Sequence, residues 1–529
     1  MPKQTRKALT RKLRESVALV REAAEHDTPL DEVAEQHRRR VITRREFVGA
    51  AAGVAGLAFA QPLRGTAAAS RIAVVGAGLS GLRFAQAMWT MRRVPVVVYE
   101  ANTRLGGRQW SNRSFFSHGQ VAEHGGEFIS SEHTSMRRLA ARYELLLADV
   151  NGGAEPCCND VAWLDGSYYQ MDQLSKDLTT VQPAIDAAFA AAPFPTLYSR
   201  HTHAGYLLDH MSAADWIEQN VPGESASKLG RVLLTDLLAE YGCEPSEQSA
   251  LNLIYLLGGP GPGGLSGTDE KYHVAGGNDQ IANGMASELP QGAIQTGMSL
   301  IALKQNSDGS YTCTFQNGAG TTSVVADHVV LSLPFPQLAK VDLSQAGLST
   351  LKLTAINNYK LGTNAKLALQ FSRRPWANRD SYSGVCYTDP QNFQESWDAT
   401  VSQRGPAGIL QRYPGGKAGG ASAFPGAAAH GPAPQQYALD FLNAVEAPFP
   451  GCIAQFNGKA WLDWWQQDPF IGGAYGCYHV GNYIQFAGIE NVREGGVHFC
   501  GEQTDLDFQG YMEGAVRSAE RLAMNWPKL

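Results

Sequence analysis

Arg71-Ile-Ala-Val-Val-Gly76-Ala-Gly78-Leu-Ser-Gly81-Leu82 places a β-branched apolar run directly before three glycines spaced GxGxxG. The run predicts a buried strand, and residues 82–90 continue with helical character. Gly76 permits the tight strand-to-helix turn, Gly78 lets the backbone approach a pyrophosphate, and Gly81 allows close helix–strand packing. The helix N-terminus then presents N–H groups to the anion. A second predicted strand, 94–99, ends in Glu100, placed where a carboxylate accepts hydrogen bonds from a ribose diol and repels a 2′-phosphate. Strand, glycines, helix and acid in one register predict a dinucleotide site.

The surrounding chain is long enough for more than one domain, at 529 residues. With 44% hydrophobic and 18% charged residues it is globular, and a net charge of −6 argues against nucleic acid as a partner. Charge is unevenly placed: residues 1–45 hold twelve Lys/Arg against seven Asp/Glu, a basic prefix on a more acidic body. Residues 1–40 read as an amphipathic, solvated helical extension. Thr43-Arg44-Arg45-Glu46-Phe47-Val48, the short apolar run 47–60 and Ala67-Ala68-Ala69 resemble a twin-arginine export signal with a peptidase site. That resemblance implies a periplasmic or secreted protein, exported folded around its cofactor. No other stretch reaches membrane-spanning length, so no stable membrane insertion of the mature chain is expected. The eight cysteines (157, 158, 243, 313, 386, 452, 477 and 500) contain no CxxC pair. They read as buried free thiols, with no disulfide framework and no metal site.

Further motifs specify the dinucleotide. Arg104-Leu-Gly106-Gly107-Arg108 follows Glu100; Val497-His-Phe-Cys-Gly501-Glu502 and Gly510-Tyr511-Met512-Glu513-Gly514-Ala515 lie near the C-terminus. Val274-Ala-Gly276-Gly277-Asn278, a strand pair across 292–315 turning at Ser307-Asp308-Gly309, and Asp327-His-Val-Val-Leu-Ser-Leu-Pro334 complete the set. Together they resemble the flavin-containing amine oxidase superfamily, of monoamine oxidase, L-amino acid oxidase and polyamine oxidase type. The resemblance runs from Arg71 to the C-terminus, while 146–265 and 380–460, which line substrate sites in that family, show little match. It implies FAD: Gly107 and Arg108 at the pyrophosphate, Ile294 at the adenine, Gly501 and Glu502 at the ribityl or phosphate end, and the backbone of Met512 at the isoalloxazine.

Residues near the reacting bond follow from the same likeness. Lys366 interrupts an apolar alternating segment, 361–371; by itself it reads as a snorkelling edge lysine. The family's lysine reaches flavin N5 through a water and assists the reaction with oxygen. Tyr475 and Tyr511, with Trp465 nearby, take the places of the aromatics that flank a substrate amine, although either tyrosine alone reads as core. Ala474 stands where animal monoamine oxidases carry the cysteine that bonds the flavin, which implies noncovalent FAD. Within Glu123-His-Gly125-Gly126-Glu127-Phe128, Phe128 replaces the arginine that clamps the substrate carboxylate in snake-venom-type L-amino acid oxidases. Glu127 either tunes entry of a cationic amine or holds the turn.

The expected fold is α/β: a doubly wound, Rossmann-like FAD-binding domain of the GR2 type interwoven with a mixed-sheet and helical substrate-binding domain. The expected boundaries are a prefix over 1–69, the FAD domain over 70–148, 268–345 and 470–529, and the substrate domain over 149–267 and 346–469. Gly- and Pro-rich stretches at 258–267 and 414–434 read as surface loops. The function implied is oxidative deamination of a primary or secondary amine or an L-amino acid, with O2 reduced to hydrogen peroxide. The alternatives are a periplasmic amine dehydrogenase passing electrons to a cytochrome or quinone, a carotenoid-type flavin desaturase, and a non-enzymatic binding protein. The expected partners are a small-molecule amine or amino acid and O2, and a homodimer is an assembly the likeness admits.

Overall fold

The computed structural model describes residues 71–150, 159–258, 269–318, 320–377 and 382–526. The twin-arginine segment, the extension over 1–40, Cys157 and Cys158, and most of the 258–267 stretch lie outside them. Among the described residues, no helix is long and apolar enough to cross a membrane.

Five parallel strands form the sheet that the glycine motif opens. Their order is Val497–Phe499, His328–Leu331, Ile72–Val75, Val97–Glu100, Ile294–Thr296, so three separated stretches of chain supply one sheet. Alternation along these strands decides what covers each face. Ile72, Val74, Val98 and Val330 pack with Leu82, Phe84 and Met88 of helix Leu79–Arg92 and with Val516 and Ala519 of helix Met512–Met524. Ala73, Val75, Tyr99, Val329 and Leu331 point the other way, onto a four-stranded sheet built from Ser299–Gln305, Tyr311–Asn317, Gly320–Ala326 and Asp342–Gln345. There Tyr99 stacks on Phe315 with ring centroids 4.6 Å apart.

A separate, eight-stranded sheet carries the other half. Its order is His430–Pro432, Phe456–Asp463, Lys366–Phe371, Gly408–Arg412, Glu395–Asp398, Tyr382–Thr388, Asn159–Leu164, Ser167–Tyr169. Helices from Met171–Thr179 to Ala250–Leu257 lie beside it, several opened by Ser or Thr caps such as Ser227, which accepts from the Gly230 amide.

Several local expectations need correction. The first helix starts at Leu79 rather than 82, and the second strand starts at Val97 rather than 94 because Arg93 takes a left-handed φ of 59° that ends the helix. The strand pair over 292–315 is three strands: Gly297 (φ 71°) turns the chain from the parallel sheet into the hairpin. The apolar segment around Lys366 is two strands, the end of Lys360–Leu361 and then Lys366–Phe371, and all six residues of the latter are buried, so it does not alternate between core and solvent. Nor is 414–434 a surface loop throughout. A Cβ at Gly415 would overlap the Leu238 carbonyl and one at Gly419 the Thr363 carbonyl, so these glycines let the chain lie against buried backbone.

Candidate active site

One cavity of about 780 Å³ runs between the five-stranded and the eight-stranded sheet. Its nucleotide end is built by the opening motif. Gly76 turns with φ 101°, and a Cβ at Gly81 would overlap the Gly76 carbonyl oxygen, so only glycine lets the helix pack this closely. Gly78 is different: a Cβ there meets nothing within 4 Å, and the space faces the cavity. Glu100 also lines it, its carboxylate accepting from the Ala77 amide at 2.6 Å and the Asn102 amide at 2.8 Å. Burial raises the Glu100 pKa against the opposing pull of those two bonds.

Two helices begin at this cavity without a side-chain cap: Leu79–Arg92 behind Gly78 and Met512–Met524 behind Tyr511. Uncapped N-termini carry unpaired N–H groups and partial positive charge, which favours an anionic or electron-rich ligand. Gly107 crosses beside Gly78, where a Cβ on Gly107 would stand 3.3 Å from the Gly78 Cα. Arg108 donates to Glu502 at 3.0 Å and to the Ala474 carbonyl at 2.5 Å, tying the Gly-Gly turn to the C-terminal motif. Glu502 in turn accepts from the Gly510 amide at 2.8 Å. These residues fit an extended dinucleotide lying from Glu100, past the pyrophosphate turns, to Met512.

The far end is aromatic. Tyr475 donates to the Ala239 carbonyl at 2.6 Å and accepts from Tyr413 Oη at 3.0 Å. Tyr511 lines the same cavity, and a Cβ on Gly510 would stand 3.8 Å from the Tyr475 ring. The His133 ring lies 5.4 Å from Tyr511, and burial drives its pKa down to about 3, so it is neutral. Trp465 is buried, with its indole N–H on the His124 carbonyl at 2.9 Å.

Lys366 reaches this wall fully engaged. Its ammonium donates to the carbonyls of Glu123 (3.0 Å) and Gly125 (2.9 Å) and to Glu127 Oε2 (2.8 Å), which uses all three of its N–H donors. The expected water contact therefore requires one of these bonds to be exchanged. Glu127 has its other oxygen on the Trp397 indole at 3.1 Å, so the carboxylate holds the turn as well as the lysine.

Of the residues anticipated from sequence, Gly76, Gly78, Glu100, Gly107, Arg108, Glu127, Phe128, Lys366, Trp465, Tyr475, Gly501, Glu502, Tyr511 and Met512 line this cavity. Gly81 supports it from behind. Ile294, expected at the adenine, does not line the cavity: it pairs with Val98 and packs into the helix-side core. Met298, Ser299 and Leu300 form the wall there instead, the Met298 amide donating to the Glu100 carbonyl at 2.8 Å. Sequence reasoning missed Trp397, Tyr413, Phe194, Tyr255, Glu240 and Glu270, which also line the cavity. They sit in or beside the two stretches without motif, and nothing local separates them from ordinary core.

The profile of the family described as flavin containing amine oxidoreductase matches residues 79–525. An L-amino acid dehydrogenase of Synechocystis sp. is 25% identical over 472 residues, covering 85% of this chain and 93% of that protein. The flavin-containing amine oxidase A of Bos taurus is 22% identical, covering 85% and 84%. Among solved structures, cyclohexylamine oxidase from Brevibacterium oxydans IH-35A superposes with a TM-score of 0.73 at 20% identity, over 86% of this chain and 98% of that one, a likeness of fold.

Proposed function

Because this chain belongs to the flavin-containing amine oxidoreductases, we propose that it oxidises a primary or secondary amine taken up between Tyr475 and Tyr511. FAD, the cofactor of this family, supplies the two-electron acceptor when bound. Gly78, Gly107, Arg108 and Glu502 would hold its phosphate and ribityl parts, with Met512 near the ring system. The protein's own part is to orient the amine, exclude water and set the field around the reacting carbon. Tyr475, fixed at its hydroxyl by Ala239 and Tyr413, presents a ring face that cannot swing away. Trp465 and Trp397 close the wall around the Glu127–Lys366 pair. Release of the substrate as an imine, followed by hydrolysis, gives the carbonyl product.

The observation that carries an amine rather than an amino acid is the charge at the aromatic end. Contacts run from Phe128 to Trp397, Tyr413, Tyr475 and Ala239. Beside that run the cavity is lined by Glu127, Glu240 and Lys366, and Lys366 is committed to Glu127. The other lining cations belong elsewhere: Arg104 and Arg108 to the Gly-Gly turn, and Lys340 to the exposed rim. Among the described residues, no guanidinium waits at Phe128 for a substrate carboxylate.

The acceptor proposed is O2, with peroxide as product. A dehydrogenase reading is favoured by one observation, the likeness to the Synechocystis L-amino acid dehydrogenase. Noncovalent FAD is supported by Ala474, which offers no thiol, while Cys477 points to another cluster. Export by the twin-arginine route is supported by the sequence of Thr43–Val48, the apolar run after it and Ala67-Ala68-Ala69, and replacing Arg44 and Arg45 by Lys should strand the chain in the cytoplasm of an exporting host.

The deciding experiment mixes flavin-loaded protein anaerobically with a panel of amines and L-amino acids, then admits air. Amines should bleach the yellow band and amino acids should do so poorly, with peroxide appearing on reoxidation. Bleaching by amino acids alone would reverse the substrate assignment. Fast bleaching with slow return in air but quick return with a quinone or cytochrome would favour the dehydrogenase, and a silent panel would reject the proposal.

A further inference from the structure

Outside the cavity, the fold gathers three soft-metal ligands that lie far apart in the sequence. Cys243 follows Gly242, the left-handed residue (φ 67°) that ends helix Lys228–Tyr241. Cys477 sits in the short strand Gly476–Cys477, two residues after Tyr475, and His479 follows it. The two Sγ atoms and an imidazole nitrogen all lie within 4.8 Å of one another, with His479 Nε2 3.3 Å from Cys243 Sγ. No other such group of His, Cys, Asp or Glu occurs among the described residues.

The surroundings are those of a built site. Both cysteines are buried and neither forms a disulfide. The Asn252 side-chain amide, itself buried, points an N–H at Cys477 Sγ from 3.9 Å, while also donating to the Tyr478 carbonyl at 3.0 Å. N–H···S contacts of this kind stabilise thiolate ligands and fix their direction. The backbone holds the ligands from both sides. Gln248 bridges His479 in antiparallel fashion, the Val480 amide donates to the Glu247 carbonyl at 3.0 Å, and the Gln248 side chain donates to the Cys243 carbonyl at 2.7 Å. Two thiols and one imidazole make the donor set that zinc-type cations prefer over magnesium or calcium. Tetrahedral zinc bonds of roughly 2.0–2.3 Å put ligand atoms somewhat under 4 Å apart, a small contraction from the observed cluster.

We propose that Cys243, Cys477 and His479 bind one zinc-type cation, with a water completing the tetrahedron. Binding replaces the two S–H protons by two S–Zn bonds and needs no oxidant. Its effect is mechanical: it clips the end of helix Lys228–Tyr241, whose Ala239 carbonyl receives the Tyr475 hydroxyl, to the strand that carries Tyr475. The inference is independent of the substrate assignment, because no ligand belongs to the aromatic slot.

The test uses the flavin-loaded full chain, reduced and desalted, then given Zn2+ at one equivalent. Native mass spectrometry should show one retained zinc per chain in the wild type and in Cys452→Ala, whose thiol lies elsewhere. Cys243→Ser and His479→Gln should retain none. A rise in melting temperature with zinc, present in the wild type and absent in His479→Gln, provides a second reading if the cysteine variant folds poorly. Failure of the reduced wild type to retain zinc would overturn the proposal. So would equal retention by His479→Gln, or a Cys243–Cys477 disulfide in the purified chain with no zinc uptake after reduction.

Discussion

Lys366 and Glu127 form a pair whose side chains are 5% and 4% exposed, at 2.8 Å. A buried ion pair is weak evidence for net stability, but removing one partner strands the other charge. Lys366→Met leaves the Glu127 carboxylate and the carbonyls of Glu123 and Gly125 without their donor. The expected loss is about 3–5 kcal/mol, read as a lower denaturation midpoint. Adding Glu127→Leu should recover part of it, though not all, because the Trp397 indole then loses its acceptor at a cost of about 1–3 kcal/mol. An unchanged midpoint in Lys366→Met would mean that water reaches the pair. A lysine inside an apolar run was legible in the sequence as an anomaly. Its partner was not, because Glu127 lies 239 positions away and only the turn at Gly125 and Gly126 brings it back.

The strand–turn–helix element that opens the nucleotide sheet uses its glycines for two separate physical reasons, which a pair of substitutions can distinguish. At Gly81 a Cβ collides with the Gly76 carbonyl and Ser332 Oγ, so Gly81→Ala must push the helix off the sheet. At Gly78 a Cβ collides with nothing, so Gly78→Ala should fold and melt like the wild type when flavin-free. It should nevertheless bind FAD at least about tenfold more weakly, since the methyl group occupies space the backbone needs to approach the phosphates. Calorimetry of the flavin-free proteins and FAD titration together check this. Equal FAD affinity in Gly78→Ala would move the pyrophosphate away from this turn. This element was readable because strand, turn and helix are contiguous and each glycine has a local role. The placement of neighbouring Ile294 in the core was not readable for the opposite reason: whether a strand residue faces core or cavity depends on where Gly297 turns the chain, and that is fixed by the hairpin it joins.

At the scale of the whole molecule, the chain passes repeatedly between the five-stranded and the eight-stranded sheet, and the polar groups buried at the crossings couple stability to pH. The parallel sheet could be anticipated because its strands carry motifs. The aromatic wall of Trp397 and Tyr413 could not, since only the strand order of the eight-stranded sheet brings those residues to the cavity. Two crossings titrate. Asp463 accepts from His124 (2.7 Å) and His430 (2.8 Å), and His430 also meets Asp468 at 3.0 Å. Burial opposes charge here, but the histidines, helped at Asp468 by the Phe470 amide and Arg104, outweigh it and hold both aspartates below the ordinary carboxylate range. The same bonds outweigh burial at His430 and raise it. At Glu123 burial prevails and pushes the carboxyl up to about 8, against the Asn278 amide and the Ser111 hydroxyl. A lowered carboxylate contributes stability that is lost as pH falls below about 4, whereas a raised histidine contributes stability that is lost as pH rises past about 6.5. The raised Glu123 carboxyl acts in the second direction, its contribution fading as pH rises from about 4.5 towards 8. Melting temperature should therefore peak on the acid side of neutrality and fall between about pH 6 and 8. Glu123→Gln, which stays neutral throughout, should shallow that alkaline fall, and Asp463→Asn should flatten the acid limb while lowering the whole curve. A Glu123→Gln profile parallel to the wild type between pH 6 and 8 would show that this carboxyl is already ionised in the folded chain, and the alkaline limb would then belong to the other raised groups, His430 and His479 among them.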